Sequence, residues 1–269
     1  MQNFIYLTLL LLVASSGSNK QLKLQLLRNI PLPKAQQFDF FGGYKPAANE
    51  INYVVALNFR SGSSSWFCAG TLIAHRWLLT VASCTSGAAQ VKISLGASNR
   101  RRMQSVLRVS SKCFFAHAAY NGYYENDIAL IQIPYVEYTP RVQAAILPQA
   151  SGDYSQVRAL TAGWGEHKGS SLHNLELRVV QLRTLHNAHC KGYGKHFTPD
   201  MICAQLPNKE HSCHLDSGSP LVLRRQPLLI GIASFGTQLG CKSNAPLGYT
   251  RITAYVSWIN NTMQANENL

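Results

Sequence analysis

The chain reads as an all-β fold closed by one short helix, and three observations predict it. Short apolar runs rich in β-branched and aromatic residues recur: Tyr53–Leu57, Trp77–Val81, Val91–Leu95, Ile128–Ile133, Val157–Ala162, Leu175–Leu182, Leu228–Phe235 and Tyr249–Ile252. Gly, Ser, Pro or Asn clusters separate most of them, as in a barrel or sandwich. Near the end the period changes: Ile252, Tyr255, Val256, Ile259 and Met263 share one helical face.

Of 269 residues, 46% are hydrophobic and 14% charged. That supports one large domain or two small ones packed together, and excludes a disordered chain or a long coiled coil. Lys and Arg outnumber Asp and Glu by 25 to 12, a formal charge of +13. Such a surface suits glycosaminoglycan, anionic membrane, an acidic protein or nucleic acid. Residues 1–18 read as a signal peptide, with an apolar run over Phe4–Ala14 and small polar residues after it, although no Lys or Arg precedes the run. The run is too short to span a bilayer, and no later segment is long enough, so a secreted, extracellular protein is expected. Residues 19–39 are basic, carry Pro31 and Pro33, and read as a pro-segment or arm ahead of a domain at 40–265.

Motifs then follow one another in a particular order. Phe40-Phe41-Gly42-Gly43, Cys68-Ala69-Gly70-Thr71-Leu72-Ile73 and Leu79-Thr80-Val81-Ala82-Ser83-Cys84 come first. Asn126-Asp127-Ile128-Ala129-Leu130, Ala162-Gly163-Trp164-Gly165 and Asp216-Ser217-Gly218-Ser219-Pro220 come next, before Ala233-Ser234-Phe235-Gly236 and Tyr255-Val256-Ser257-Trp258-Ile259. This series resembles a chymotrypsin-like serine protease over nearly all of the chain after the leader, and is most similar to insect digestive proteases of the Jonah type. The resemblance implies two six-stranded antiparallel β-barrels with the site between them, and a C-terminal helix.

Hydrolysis by this family needs a serine nucleophile, an imidazole base and a buried carboxylate that orients the imidazole. The resemblance gives Ser217 the nucleophile position and Asp127 the carboxylate position. The family's histidine stands directly before a cysteine, and here that place is held by Ser83, next to Cys84. A serine hydroxyl has no useful basicity near neutral pH. His75 lies eight positions earlier, at the far end of the preceding strand, and His214 falls at the rim of the cleft, so neither is expected to replace the base. Three further departures point the same way. Leu215 stands where the family has a glycine whose N–H, with that of Ser217, forms the oxyanion hole. Among the specificity-pocket positions, Ser234 and Gly236 keep the pattern, whereas His211 takes the base position and Leu247 a wall position that is usually glycine. At the activation position, Phe40 follows Asp39 rather than a basic residue, so either an unusual protease cuts after Asp39 or the chain stays zymogen-like, with Asp216 lacking the new ammonium that pairs with it in active relatives, a costly state for a buried carboxylate.

The resemblance also pairs Cys68 with Cys84, Cys190 with Cys203, and Cys213 with Cys241. Cys113, the seventh cysteine, is left as a buried free thiol or a bridge to another chain, the first being favoured. Asn260-Asn261-Thr262 forms a glycosylation sequon at Asn260 on the expected helix. His186, His189 and His196 read as a solvated basic loop, and no metal site or cofactor is implied. Arg100-Arg101-Arg102 and Arg224-Arg225 read as solvated loop charges, with polyanion binding as the sharper alternative. The expectation is a secreted, catalytically inactive homologue that acts by binding a protease, its substrate or its inhibitor. An active endopeptidase with an unconventional base and a binder of glycosaminoglycan or another polyanion are the alternatives. Nucleic acid ranks below these partners, and no membrane span is expected.

Overall fold

The computed structural model describes residues 43–47, 49–96, 98–100, 103–165, 175–190, 197–206, 215–235 and 246–267. The expected leader, the arm, Phe40, His211, Cys213, Gly236 and Cys241 lie outside them. In chain order the strands are β1 (Gly43–Tyr44), β2 (Val54–Ser61), β3 (Ser64–Ala74), β4 (Trp77–Thr80), β5 (Gln90–Leu95), β6 (Ser105–Ser110), β7 (Phe114–Ala116) and β8 (Ala129–Gln132). The second half supplies β9 (Arg158–Gly163), β10 (Arg178–Thr184), β11 (Met201–Gln205), β12 (Pro220–Leu223), β13 (Leu229–Phe235) and β14 (Leu247–Arg251). Helix α1 (Ala82–Thr85) is one turn, and α2 (Ile252–Ala265) follows β14 directly.

Hairpin β2–β3 pairs Ser61 with Ser64 across Gly62-Ser63. Gly62 has φ +56°, which suits the twist of a two-residue hairpin turn. From this hairpin the first sheet runs β6-β5-β2-β3-β4-β8-β7. Strands β6 and β7 are one stretch of chain bent at a 3-10 turn, Ser111–Cys113: β6 pairs with β5, and β7 with β8. The two-barrel architecture that the resemblance implied is present: the bent β6–β7 stretch links the β5 and β8 sides of this sheet, which curls as a half-barrel. The second sheet does close, through β9-β10-β11-β14-β13-β12 and back to β9, with β1 added on β10.

Alternation drives this packing. Leu57, Phe59, Val91 and Ile93 are fully buried, while Asn58 and Lys92 are half-exposed and Arg60 is exposed, so β2 and β5 present a polar outer face. One apolar cluster runs from Phe59, Leu72 and Leu130 in the first sheet to Leu160, Trp164, Val222 and Ile232 in the second. Helix α2 buries Ile252, Tyr255 and Ile259 against it, with Val256 and Met263 half-buried, and Asn260 is exposed. The helix face thus matches the sequence periodicity, with Ile252 opening the helix rather than ending the last strand.

Cys68 is joined to Cys84 and Cys190 to Cys203, closing loops of sequence separation 16 and 13. Cys113 is free and half-exposed at the corner of the first sheet. The favoured expectation of a buried thiol fails there, because the corner lifts it off the core. Reducing both bridges is expected to lower stability by several kcal/mol, about 3 kcal/mol for each loop of this length. Thermal unfolding that is unchanged by reductant, with both bridges shown to be open, would contradict this.

Candidate active site

Ser217 sits in a tight turn that ends where β12 begins. The turn is closed by Ser219 N–H donating to the Asp216 carbonyl at 3.0 Å. Ala69 N–H of β3 donates to the Ser217 carbonyl at 2.8 Å, and Gly218 N–H donates to the Ala233 carbonyl at 2.7 Å. Both sheets therefore hold the turn. Among the described residues the Ser217 hydroxyl has no hydrogen-bond partner.

Asp127 lies just ahead of β8 and is 1% exposed. Its Oδ1 accepts the Ser83 N–H at 2.8 Å, and its Oδ2 accepts the Ser83 hydroxyl at 3.1 Å and the Ser234 hydroxyl at 2.6 Å. Thr250 of β14 donates its hydroxyl to the Asp127 carbonyl at 2.8 Å. Ser83 belongs to α1 and Ser234 to β13, so one carboxylate ties the two sheets together. Ser234, expected only as a pocket position, is therefore also a partner of Asp127. Burial raises the Asp127 carboxyl above its usual range, against the pull of the Ser234, Ser83 and Ala82 hydrogen bonds. The Tyr120 phenol lies close to Ser83 and Asp127, and sequence reasoning missed it because Tyr120 stands in a loop with no motif around it. Burial, then the nearby Asp127 charge, raises that phenol, so it stays protonated at neutral pH.

Taking the proton from Ser217 requires a base within hydrogen-bond reach of its hydroxyl. Neither hydroxyl beside Asp127 is one. Of the nine histidines, His75, His117, His186 and His189 are among the described residues. His75 stacks 3.8 Å from Tyr138 and 4.7 Å from Tyr135, with Nδ1 2.8 Å from the Val136 carbonyl. It stands at the β3–β4 turn, at the strand end where the sequence located it. His117 packs 5.2 Å from Trp258 and 5.5 Å from Tyr255, and burial lowers its pKa. His186 and His189 lie near one another, 6.4 Å apart, beyond the end of β10.

The cavity beside Ser217 is small. Leu215, Ser217, Ala233, Ser234, Phe235 and Leu247 line a cavity of about 100 Å³ together with Gly248. Ligand pockets usually hold roughly 300 Å³ or more. Leu247 is 8% exposed, so its side chain fills space here. The Phe235 ring lies so close over Gly248 that a Cβ there would fall 2.0 Å from it, and the Tyr124 ring packs 4.5 Å from that of Phe235.

Asp216 is buried, and the Trp164 N–H donates to its Oδ2. The Trp164 ring meets Phe67 edge-on at 5.9 Å, and the Arg100 guanidinium carbon lies 3.8 Å above the Phe67 ring. Burial lowers the Arg100 pKa, while attraction to Asp216 opposes that shift. Arg100 is therefore no solvated loop charge: an aromatic stack carries a cation toward Asp216.

Asp127 gives a pH prediction. Its folded-state pKa is raised, so the ionised form is disfavoured by folding. Stability is lost as pH rises from the ordinary carboxylate value of ~3.9 through the raised one. Asn at this position keeps an acceptor for the Ser83 N–H and carries no buried charge. Asp127→Asn is expected to be more stable than the parent at neutral pH, with the gap closing below about pH 4. Urea unfolding at several pH values checks this, and a less stable variant at pH 7 would contradict it.

The Trypsin family model matches residues 40–259. Serine protease 1 of Drosophila melanogaster is 36% identical over 223 residues, covering 81% of this chain and 83% of that protein. Trypsin of Sus scrofa is 36% identical over 233 residues, covering 84% and 96%. Collagenase of Hypoderma lineatum is 33% identical over 202 residues, covering 72% and 75%. A solved HL collagenase structure superposes with a TM-score of 0.76 at 30% identity, over 82% of this chain and 97% of that one. With a closed β-barrel, a half-barrel and a C-terminal helix in the same arrangement, the chain belongs to the trypsin family of chymotrypsin-like serine proteases.

Proposed function

We propose that the protein is a secreted serine protease homologue that has lost catalysis and works by binding. One observation carries this reading: the side chain hydrogen-bonded to the Asp127 carboxylate beside the nucleophile turn is that of Ser83, where the family resemblance calls for histidine. Loss of the base from a comparable mechanism costs about a millionfold in turnover. The narrow cavity around Leu247 and the leucine at the oxyanion position, Leu215, support the same reading. The disulfides and the expected leader support secretion, and no helix among the described residues is long and apolar enough to cross a membrane. The Drosophila relatives support an insect, Jonah-type origin. A role as regulator or decoy in an extracellular protease cascade, or as a component of a secreted fluid, follows from a retained fold without turnover, with a protease, its substrate or its inhibitor as partner.

Incubation with a fluorophosphonate tests the loss of catalysis. Ser217 is expected to stay unlabelled under conditions that label pig trypsin fully, because the reagent needs an activated nucleophile. Stoichiometric labelling of Ser217 would overturn the proposal. It would support the second reading, an active endopeptidase with another base, which draws on the retained Asp127 and Ser217.

A further inference from the structure

The outer face of the first sheet carries a cleft of about 320 Å³, remote in function from the triad positions. Cross-strand register builds it. Asn58 of β2 lies opposite Lys92 of β5, and Lys92 lies opposite Arg108 of β6. Arg60, two residues along β2 from Asn58, lies opposite Gln90. With strands ~4.8 Å apart, the three cations converge on one opening, with Ser63 and Ser65 at its edge. Among the described residues no carboxylate pairs with any of the three. Asn58 Oδ1 accepts from Arg100 Nη2 at 3.4 Å, so the amide offers its N–H groups, not its oxygen, to a bound anion.

We propose that this cleft binds a sulfated polysaccharide, with Arg60, Lys92 and Arg108 taking sulfate groups and Asn58, Gln90 and the serines taking hydroxyls. The lining itself selects that partner class. Its one apolar residue, Phe59, is fully buried. No aromatic face is therefore open for stacking nucleobases, and no apolar anchor is offered to a protein. What remains is permanent positive charge interleaved with neutral donors, which matches ionised esters spaced by hydroxyls. The site goes beyond the loss of catalysis and does not depend on it.

Heparin oligosaccharide binding to the full secreted chain, by calorimetry at 0.15 M salt, tests the assignment. The variant Arg60→Gln/Lys92→Gln/Arg108→Gln is expected to bind about 100-fold more weakly. Its slope of log affinity against log salt should fall by about 2–3, as counterion release requires. Arg183→Gln/Arg224→Gln/Arg225→Gln removes the same charge from the second half of the chain and should change affinity by less than about threefold, because distant charges are screened. The double variant Arg60→Gln/Arg108→Gln, which alters exposed side chains alone, should lose about 30-fold if the triple variant proves unstable. Desulfated heparin, poly-glutamate and duplex DNA should bind far more weakly than heparin. Equal losses in both triple variants would mean diffuse charge attraction and overturn the proposal. So would poly-glutamate or DNA binding as tightly as heparin with the same dependence on the cleft.

Discussion

Gly218→Ala is expected to lower stability by about 4 kcal/mol and the melting temperature by about 10 °C. Gly218 has φ +85°, and a Cβ there would sit 2.1 Å from the Ala69 carbonyl oxygen and 2.5 Å from Thr80 Oγ1. Those two atoms are themselves bonded, the Thr80 hydroxyl donating to Ala69 at 2.8 Å in a fully buried place. A methyl group must therefore push backbone from backbone and break that bond, and the left-handed conformation adds its own cost. Gly62→Ala separates the terms. Its φ is +56° with nothing within 4 Å of the added carbon, so it should cost only about 1 kcal/mol. Equal melting temperatures for the two variants would show that the Ser217 turn yields easily and that its contacts contribute little.

Ser83→His, with nothing else changed, is expected to remain within about tenfold of background on any chromogenic peptide, about 1.4 kcal/mol in barrier. An imidazole at Ser83 must fit beside the Tyr120 phenol and share Asp127 with Ser234. Even when seated, a base raises the rate only where the rest of the machinery is preorganised. Leu215, at the position that the resemblance gives to the oxyanion hole, and Leu247 with Phe235 line the small cavity beside Ser217. Adding Leu215→Gly and Leu247→Gly, with Asp39→Lys to create a cleavage site ahead of Phe40, should be needed before turnover appears. Inhibitor-sensitive, stoichiometric turnover from Ser83→His alone, by active-site titration, would show that only the base had been lost.

Residues whose surroundings are set by local period or motif were legible from the sequence, and those set by packing between distant segments were not. The helical face from Ile252 to Met263 and the β5 run needed only alternation or a 3.6-residue repeat. Strand β6, with its half-exposed alternation of Ser105, Leu107 and Val109, carried no apolar run to mark it. Ser83, Asp127 and Ser217 were found by motif, but the partners of Asp127 come from three separate segments, and Tyr120 had no motif at all. Arg100 was read as solvent-facing because Arg101 and Arg102 follow it. Its place over Phe67 depends on an aromatic ring 33 positions earlier in the sequence, which no local pattern reveals. The bend that carries one stretch of chain from β5 to β8 is a three-residue turn, too short to alter the hydrophobic pattern.

The apolar cluster that runs without a break from β2 to the interior of the second sheet has a thermodynamic consequence. Its two halves are also pinned by Ala69 to Ser217, by Thr250 to Asp127 and by the Gln132 amide donating to the Asn266 carbonyl at 2.6 Å. Neither sheet can shed its interior without exposing that of the other, so the described domain should melt cooperatively, as one all-or-none unit. Linkage then distributes any local gain over the whole: an occupant present at 100 times its dissociation constant adds about 2.7 kcal/mol to the single transition, wherever on the surface it sits. The melting temperature of the intact protein is thus a reporter for partners that touch only one face.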